Sequence, residues 1–427
     1  MAPSTAPTAP PPAQAGRASR DLVWLVIGLF FIWGGVTSLN DVLIPKLKGL
    51  YALSYTEVML TQFAFFMGYF IFSLPAGTLI ARIGYMRGIV VGLAIMAAGA
   101  ALFWPSSRAG VYGYYLVALF IIAGGITVLQ VAANPLISQL GDERTASSRL
   151  TFAQAFNSLG TTIWPYIGAN LILGTAAATD PATLHGAALD QFRARESHIV
   201  ANVYVGIALV LVLLALIFAV RRNAIRADTP DAVGFGAILG LLGRRRIAFG
   251  VAALFAYVGA EVSIGSMLVN YLQLPSVLAL DPVAAGQRLS LYWGGAMIGR
   301  FIGAALLRRV EPGRMLILFS AANVVLIATS MASTGPVAGW ALIAVGLFNS
   351  IMFPTVFALA LEGLDNRAAE GAALLCMAIV GGAIVPLATG RMADATSLGA
   401  ALVIPLICYV VIAAFGYFEP SRKPAGD

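Results

Sequence analysis

Trp33-Gly34-Gly35-Val36-Thr37-Ser38-Leu39-Asn40-Asp41-Val42-Leu43-Ile44-Pro45 closes the first long apolar run of the chain, which begins near Leu22. Asp41 lies inside that run, beside Asn40. A carboxylate at the middle of a bilayer costs about 2.5–3.5 kcal/mol on insertion scales. Acids in such places face a bundle interior or a wet cavity and mark functional sites. Trp33, Thr37 and Asp41 are spaced four apart and share one helix face. An aromatic plate, a hydroxyl and an acid on one stripe suit a small polar ligand. The bland alternative is an acid near a helix end that reaches interfacial water, because Pro45, Lys46 and Lys48 follow closely.

The rest of the composition fits a membrane. The chain is 59% hydrophobic and 11% charged, with a mean hydropathy of +0.88, whereas soluble domains carry about 25% charged residues. Several apolar runs reach the length of about 20 residues that crosses about 30 Å of hydrocarbon. A net charge of +7 then belongs to inner loops and is no sign of nucleic-acid binding. Cys376 and Cys408 both fall in apolar runs, which argues against a disulfide framework or a zinc site. His185 and His198 fall in one polar loop and build no catalytic centre. No cofactor, ATP loop or metal cluster is expected, and the chain does not read as an enzyme.

Residues 1–20, rich in Pro, Ala, Ser and Thr, read as a disordered tail and not as a signal peptide. Apolar runs predict about twelve spans, at 22–44, 57–80, 88–105, 112–139, 149–174, 199–220, 247–272, 286–308, 314–332, 337–361, 371–391 and 398–418. With the N-terminus inside, eighteen Lys and Arg fall in inner segments and seven in outer ones. Both termini are therefore expected in the cytoplasm. The connector 221–246 divides the chain into a first bundle, 21–220, and a second, 247–419, followed by a tail at 420–427. The fold class is all-α, with two six-helix bundles.

The bundles echo each other. Met67-Gly68-Tyr69-Phe70-Ile71 in span two answers Ile298-Gly299-Arg300-Phe301-Ile302 in span eight. In spans four and ten, Asn134-Pro135 answers Phe353-Pro354, and Gln130 answers Asn349. Such a repeat implies a pseudo-two-fold with a substrate site near the midplane, between the halves.

Span four carries Gln130 and Asn134 on one face, and Pro135 frees a backbone carbonyl there. Span five carries Gln154 and Asn157. Carboxamides on adjacent helices offer donors and acceptors together, the mixture that sugar hydroxyls need. Interhelical glue is the alternative. In span seven, Ser263, Ser266 and Asn270 share one face, while Tyr257 and Glu261 share another, nearly opposite if the helix is continuous. Gly259 and Gly265 are places where it can break. Glu261 is the second membrane acid, either an ion-coupling group or the partner of Arg300. Arg300 pairs with it or snorkels inward. Trp293 stacks on a sugar or anchors at the interface. Asn349 and Phe353 in span ten are further site candidates.

Pro75-Ala76-Gly77 to Gly84-Tyr85-Met86-Arg87 resembles the loop-two/three motif of the major facilitator superfamily. The resemblance makes Arg82 and Arg87 inner-gate residues. The usual acid of that motif is absent, and Ala81 precedes Arg82. Asn40-Asp41, Ala132-Ala133-Asn134-Pro135 and Gln154-Ala155-Phe156-Asn157-Ser158 resemble the fucose:proton symporter family of that superfamily, from about Trp33 through Tyr417. The resemblance implies that Asp41 couples a proton and that Gln154 and Asn157 lie near the sugar. Gln130 stands where the fucose symporter has a glutamate, which removes one titrating group of that family's relay. With Tyr257-Val258-Gly259-Ala260-Glu261-Val262-Ser263-Ile264-Gly265-Ser266, it is more similar to the bacterial glucose/galactose branch, a family that also has sodium-coupled members.

The expectation is a monomeric transporter of the bacterial inner membrane that imports a hexose with a proton or a sodium ion. Asp41 and Glu261 are the ion-coupling candidates. Trp33, Thr37, Asn40, Gln130, Asn134, Gln154, Asn157, Tyr257, Asn270, Trp293 and Asn349 are the substrate candidates, and Arg82, Arg87 and Arg300 the gating ones. A hexose uniporter, a fucose symporter and an N-acetylhexosamine symporter of the same fold are the alternatives.

Overall fold

The computed structural model describes residues 15–140, 146–174, 184–222, 239–307, 309–364 and 367–418. Among these residues the chain is helical, with no strand. The tails at 1–14 and 420–427 and most of the 221–246 connector lie outside the described residues.

The first half is α1 (Ala15–Tyr51), α2 (Tyr55–Ile83), α3 (Tyr85–Ala109), α4 (Tyr112–Gln139), α5 (Ala146–Gly168) and α6 (Ala187–Val220). The second is α7 (Arg245–Gln273), α8 (Pro282–Leu306), α9 (Pro312–Ala332), α10 (Gly335–Leu361), α11 (Leu374–Ala395) and α12 (Ala400–Phe418). Nine of these are long and apolar enough to cross a membrane, and α2 makes ten when its two bent arms count as one span. The other two are α5 and α8, whose lengths of 23 and 25 residues are ample. Their polarity sets them apart, because they carry Gln154, Asn157, Gln287 and Arg300.

Helix starts follow capping chemistry. Ser54 and Glu57 close a capping box at α2, with Glu57 N–H donating to Ser54 Oγ at 3.2 Å and Ser54 N–H to Glu57 Oε2 at 2.8 Å. Asp281 caps α8 and is followed by Pro282.

Three expectations are corrected. Pro45 does not end the first span, since α1 runs on to Tyr51 with Pro45 inside it. A proline has no N–H, so the carbonyl of Asp41, four residues earlier, lacks its helical partner. The second correction follows from the first, because Lys46 is buried and paired with Glu196 of α6 instead of lying in a loop. Third, α6 begins at Ala187, so His198 is helical and sits beside Trp104.

Packing respects the repeat. Within the halves, α1 packs on α5 as α7 does on α11, and α3 on α4 as α9 does on α10. Across them, α2 packs on α11 and α5 on α8, two seams that exchange under the pseudo-two-fold, while α1 meets α7 on its axis. The α1–α5 approach depends on Gly160, where a Cβ would stand 2.2 Å from the carbonyl oxygen of Phe31.

Candidate functional site

The site candidates concentrate on the helices that form these seams. Asp41 lies in α1 at 5% exposure, among α2, α7 and α8, and not at a helix end. Its Oδ1 accepts from Gln62 Nε2 of α2 at 3.0 Å and from Ser266 Oγ of α7 at 3.1 Å. Gln62 Nε2 also donates to Ser266 Oγ at 2.6 Å, and Asn40 Nδ2 donates to Gln62 Oε1 at 2.8 Å. The carboxylate is thus bound by donors from both halves.

Gly265 makes this approach possible. A Cβ there would lie 3.5 Å from Asp41 Oδ2 and 3.2 Å from the Trp293 ring. Trp293 therefore sits against Asp41. Its indole Nε1, the Asn270 Nδ2 and the Asn40 Oδ1 are buried without a hydrogen-bond partner. Buried groups of this kind are few in native structures, and ligands or waters usually account for them.

Trp33 is 5% exposed and packs on Phe30 at 5.2 Å between ring centroids. Thr37 donates to the Trp33 carbonyl and Ser38 to that of Gly35, so both hydroxyl protons are held by α1 itself. Gln154 Nε2 reaches Asn134 Oδ1 at 3.4 Å, a long bond that joins α5 to α4. Asn157 Nδ2 donates to the Phe30 carbonyl at 3.1 Å. Gln130 is half-buried one turn before Asn134.

The second half holds a separate polar network. Tyr257 donates to Glu261 Oε1 at 2.8 Å, and Tyr292 donates to the Glu261 carbonyl at 3.1 Å. Asn349 Nδ2 donates to Tyr292 at 2.8 Å, while Asn349 Oδ1 accepts from Asn323 at 2.9 Å and from Tyr409 at 2.7 Å. Asn349 is fully buried with its amide engaged on both sides, which places it in the scaffold behind Glu261. The helix α7 is continuous, so neither Gly259 nor Gly265 breaks it. Ser266 and Glu261 accordingly point to different surroundings.

Among the described residues no Glu261–Arg300 salt bridge forms. Arg300 Nη1 instead hydrogen-bonds Ser158 Oγ of α5, across the halves. Arg82 and Arg87 are exposed at the facing ends of α2 and α3. Phe353 stacks with Phe357 in α10.

Sequence reasoning missed Gln62. The signal was there, since Thr61-Gln62 interrupts an apolar run about two turns into α2, but nothing in the sequence brings α2 to Asp41. Asp394 of α11 was missed as well. It accepts from the N–H groups of Tyr55 and Thr56, each at 2.7 Å, and from Thr56 Oγ1 at 2.6 Å, closing the α2–α11 seam at the expected outer face.

Comparison with known proteins agrees with this architecture. Residues 25–386 match the Major Facilitator Superfamily. The chain is 48% identical over 388 residues to the glucose/galactose transporter of Brucella abortus biovar 1 (strain 9-941), covering 91% of each protein. It is 35% identical over 408 residues to the L-fucose-proton symporter of Escherichia coli (strain K12), covering 92% of each. Its fold matches the crystal structure of the major facilitator superfamily transporter FucP in the outward conformation, with a TM-score of 0.72 and 32% identity over 95% of this chain and 100% of that one. The chain belongs to the Major Facilitator Superfamily, a family of multi-pass membrane transporters and not of enzymes.

Proposed function

We propose that the protein imports a hexose of the glucose/galactose kind by symport with a cation, through alternating access of its two halves. It acts as a monomer in the bacterial inner membrane with both termini in the cytoplasm. The observation that carries the reading is Asp41, a buried acid bound at the seam by Gln62 of one half and Ser266 of the other. A group so placed ties its charge to the relation between the halves. Neutralising it by protonation lowers the cost of occluding the site.

The sugar reading is supported by two relatives, named a glucose/galactose transporter and an L-fucose-proton symporter. It also fits the polar atoms at the seam. Gln154, Asn157 and Asn134 supply amides on adjacent helices, and Trp293 Nε1 and Asn270 Nδ2 are buried donors without partners. Trp293 offers an aromatic plate beside them. The proton is favoured over sodium by the donor set at Asp41. Sodium needs neutral oxygens around an ionised carboxylate, whereas Oδ1 here faces an N–H and an O–H. Glu261, held by Tyr257, is the second candidate for coupling.

The test is counterflow of a panel of sugars in proteoliposomes at controlled sodium and pH, followed by net uptake of the exchanged sugars with a pH dye on each side. Glucose or galactose is expected to exchange, and its net uptake to make the medium it leaves more alkaline. Sodium dependence without proton movement overturns the proton assignment. Sugar exchange with neither dependence makes the protein a uniporter.

A further inference from the structure

Gln62 and Ser266 both approach one oxygen of Asp41, and they come from opposite halves of the molecule. The hydrogen bonds around them run in one direction. Asn40 Nδ2 donates to Gln62 Oε1, which fixes the Gln62 amide so that Nε2 points at Asp41 and Ser266. Ser266 Oγ accepts from Gln62, so its own proton is directed to Asp41 Oδ1. An amide with both N–H groups committed and a hydroxyl with one orientation make an ordered donor pair, not a loose polar contact.

The clasp lies toward the expected outer face. Gln62 is seven residues into α2 from Tyr55, and Ser266 is seven residues before the end of α7 at Gln273. Both halves touch at that face in this structure, through Asp394 on Tyr55 and Thr56 and through Gln287 on Asn170. Parting the halves there moves Ser266 away from Asp41 and leaves Gln62, which belongs to the same half as Asp41, in place.

We infer that Ser266, oriented by Gln62, is a positioning residue that makes the proton affinity of Asp41 depend on conformation. The inference rests on the reading of Asp41 as the coupling acid. With the outer side open, Asp41 lacks the Ser266 donor and takes a proton from outside. With the outer side closed, Ser266 donates to Oδ1. A hydrogen bond to the charged form favours that form, so the proton leaves Asp41 toward the inside and the carboxylate remains, bound by the clasp. One proton enters and one leaves per cycle.

The groups around Asp41 leave this role to Ser266. From α7, Glu261 opposes a second negative charge, and from α8 Tyr292 and Trp293 stand near. From α2, Tyr69 lies beside Trp33 and Thr37. From α6, Glu196 is neutralised by Lys46, and the polar residues that α4 and α5 bring near the seam are the uncharged Gln130, Asn134, Gln154 and Asn157. Trp293 approaches the carboxylate from the second half with its indole N–H, and among the described residues Ser266 is the second-half group that hydrogen-bonds it, at 3.1 Å.

The experiment is proton-driven sugar uptake into proteoliposomes, with the pH varied only on the side equivalent to the cytoplasm. S266A is expected to need a medium on that side more alkaline by about one unit for half-maximal uptake, the worth of one hydrogen bond to a charged group. S266T keeps the hydroxyl and is expected to restore the wild-type profile. Q62M, which removes both donors at similar length, is expected to shift the profile in the same direction, and it decides the matter if S266A does not reconstitute. An unshifted internal-pH profile in these variants, or an S266T profile like that of S266A, overturns the inference. If the wild type itself moves no protons with sugar, it is the coupling reading that fails.

Discussion

Gln154→Ala is expected to weaken hexose binding in detergent, measured by calorimetry, by about 1–3 kcal/mol, the cost of stranding a sugar hydroxyl in a dry site. Its side chain reaches Asn134 through a long hydrogen bond, so little scaffold is lost with it. Wild-type affinity would make the amide glue between α4 and α5. Lys46 is a different case. It is 5% exposed and paired with Glu196, itself 3% exposed. Lys46→Ala takes the buried cation from beside the Glu196 carboxylate and is expected to cost about 3–5 kcal/mol of stability, read as a lower melting temperature. A double variant that also replaces Glu196 with Gln is expected to recover much of the loss, and its failure to do so would make the pair incidental. Asp41, Gln154 and Asn157 were legible in the sequence as polar groups inside helices because polar residues in apolar runs stand out. Lys46 was not legible as buried, because its partner lies 150 residues away, and a lysine after a proline reads as a loop.

The helices carry the same lesson in their ends. Eleven of the predicted spans differ from the observed helices mainly in their margins, because apolar length marks a span while capping and tertiary partners set where the helix stops. The exception is α6, which starts at Ala187 and not near 199, because Glu196 is drawn into the bundle by Lys46. At the α2–α11 seam, Asp394 receives three hydrogen bonds from the first turn of α2. A carboxylate at a helix N-terminus is favoured by both the free N–H groups and the helix dipole. Asp394→Asn removes the charge and is expected to raise the population with separated outer ends by about tenfold, the worth of one charge-assisted hydrogen bond. Spin labels on the outer ends of α2 and α11 read this as a longer distance distribution. An unchanged distribution would mean that other contacts close the seam.

At the scale of the molecule, the six-and-six repeat was legible from paired motifs and the long basic connector, and the seams α2–α11 and α5–α8 repeat that symmetry. What the sequence did not reveal is which polar residues meet across it. Of the alternatives open for Glu261 and Arg300, their mutual salt bridge is not formed among the described residues, where Arg300 bonds Ser158 and Tyr257 bonds Glu261, because partners on different helices follow from packing and not from spacing. Orientation makes its own prediction. A protease added outside intact cells is expected to spare a tag in the 223–246 connector and to cut one in the 175–186 segment, and the reverse would turn every gate assignment over. The proposed coupling of sugar movement to a cation by Asp41, at the seam between the halves, stands or falls on uphill hexose accumulation set beside counterflow in Asp41→Asn proteoliposomes. Accumulation is expected to be abolished while counterflow, which needs no driving ion, persists at least in part. Accumulation of sugar against its gradient by Asp41→Asn would contradict it.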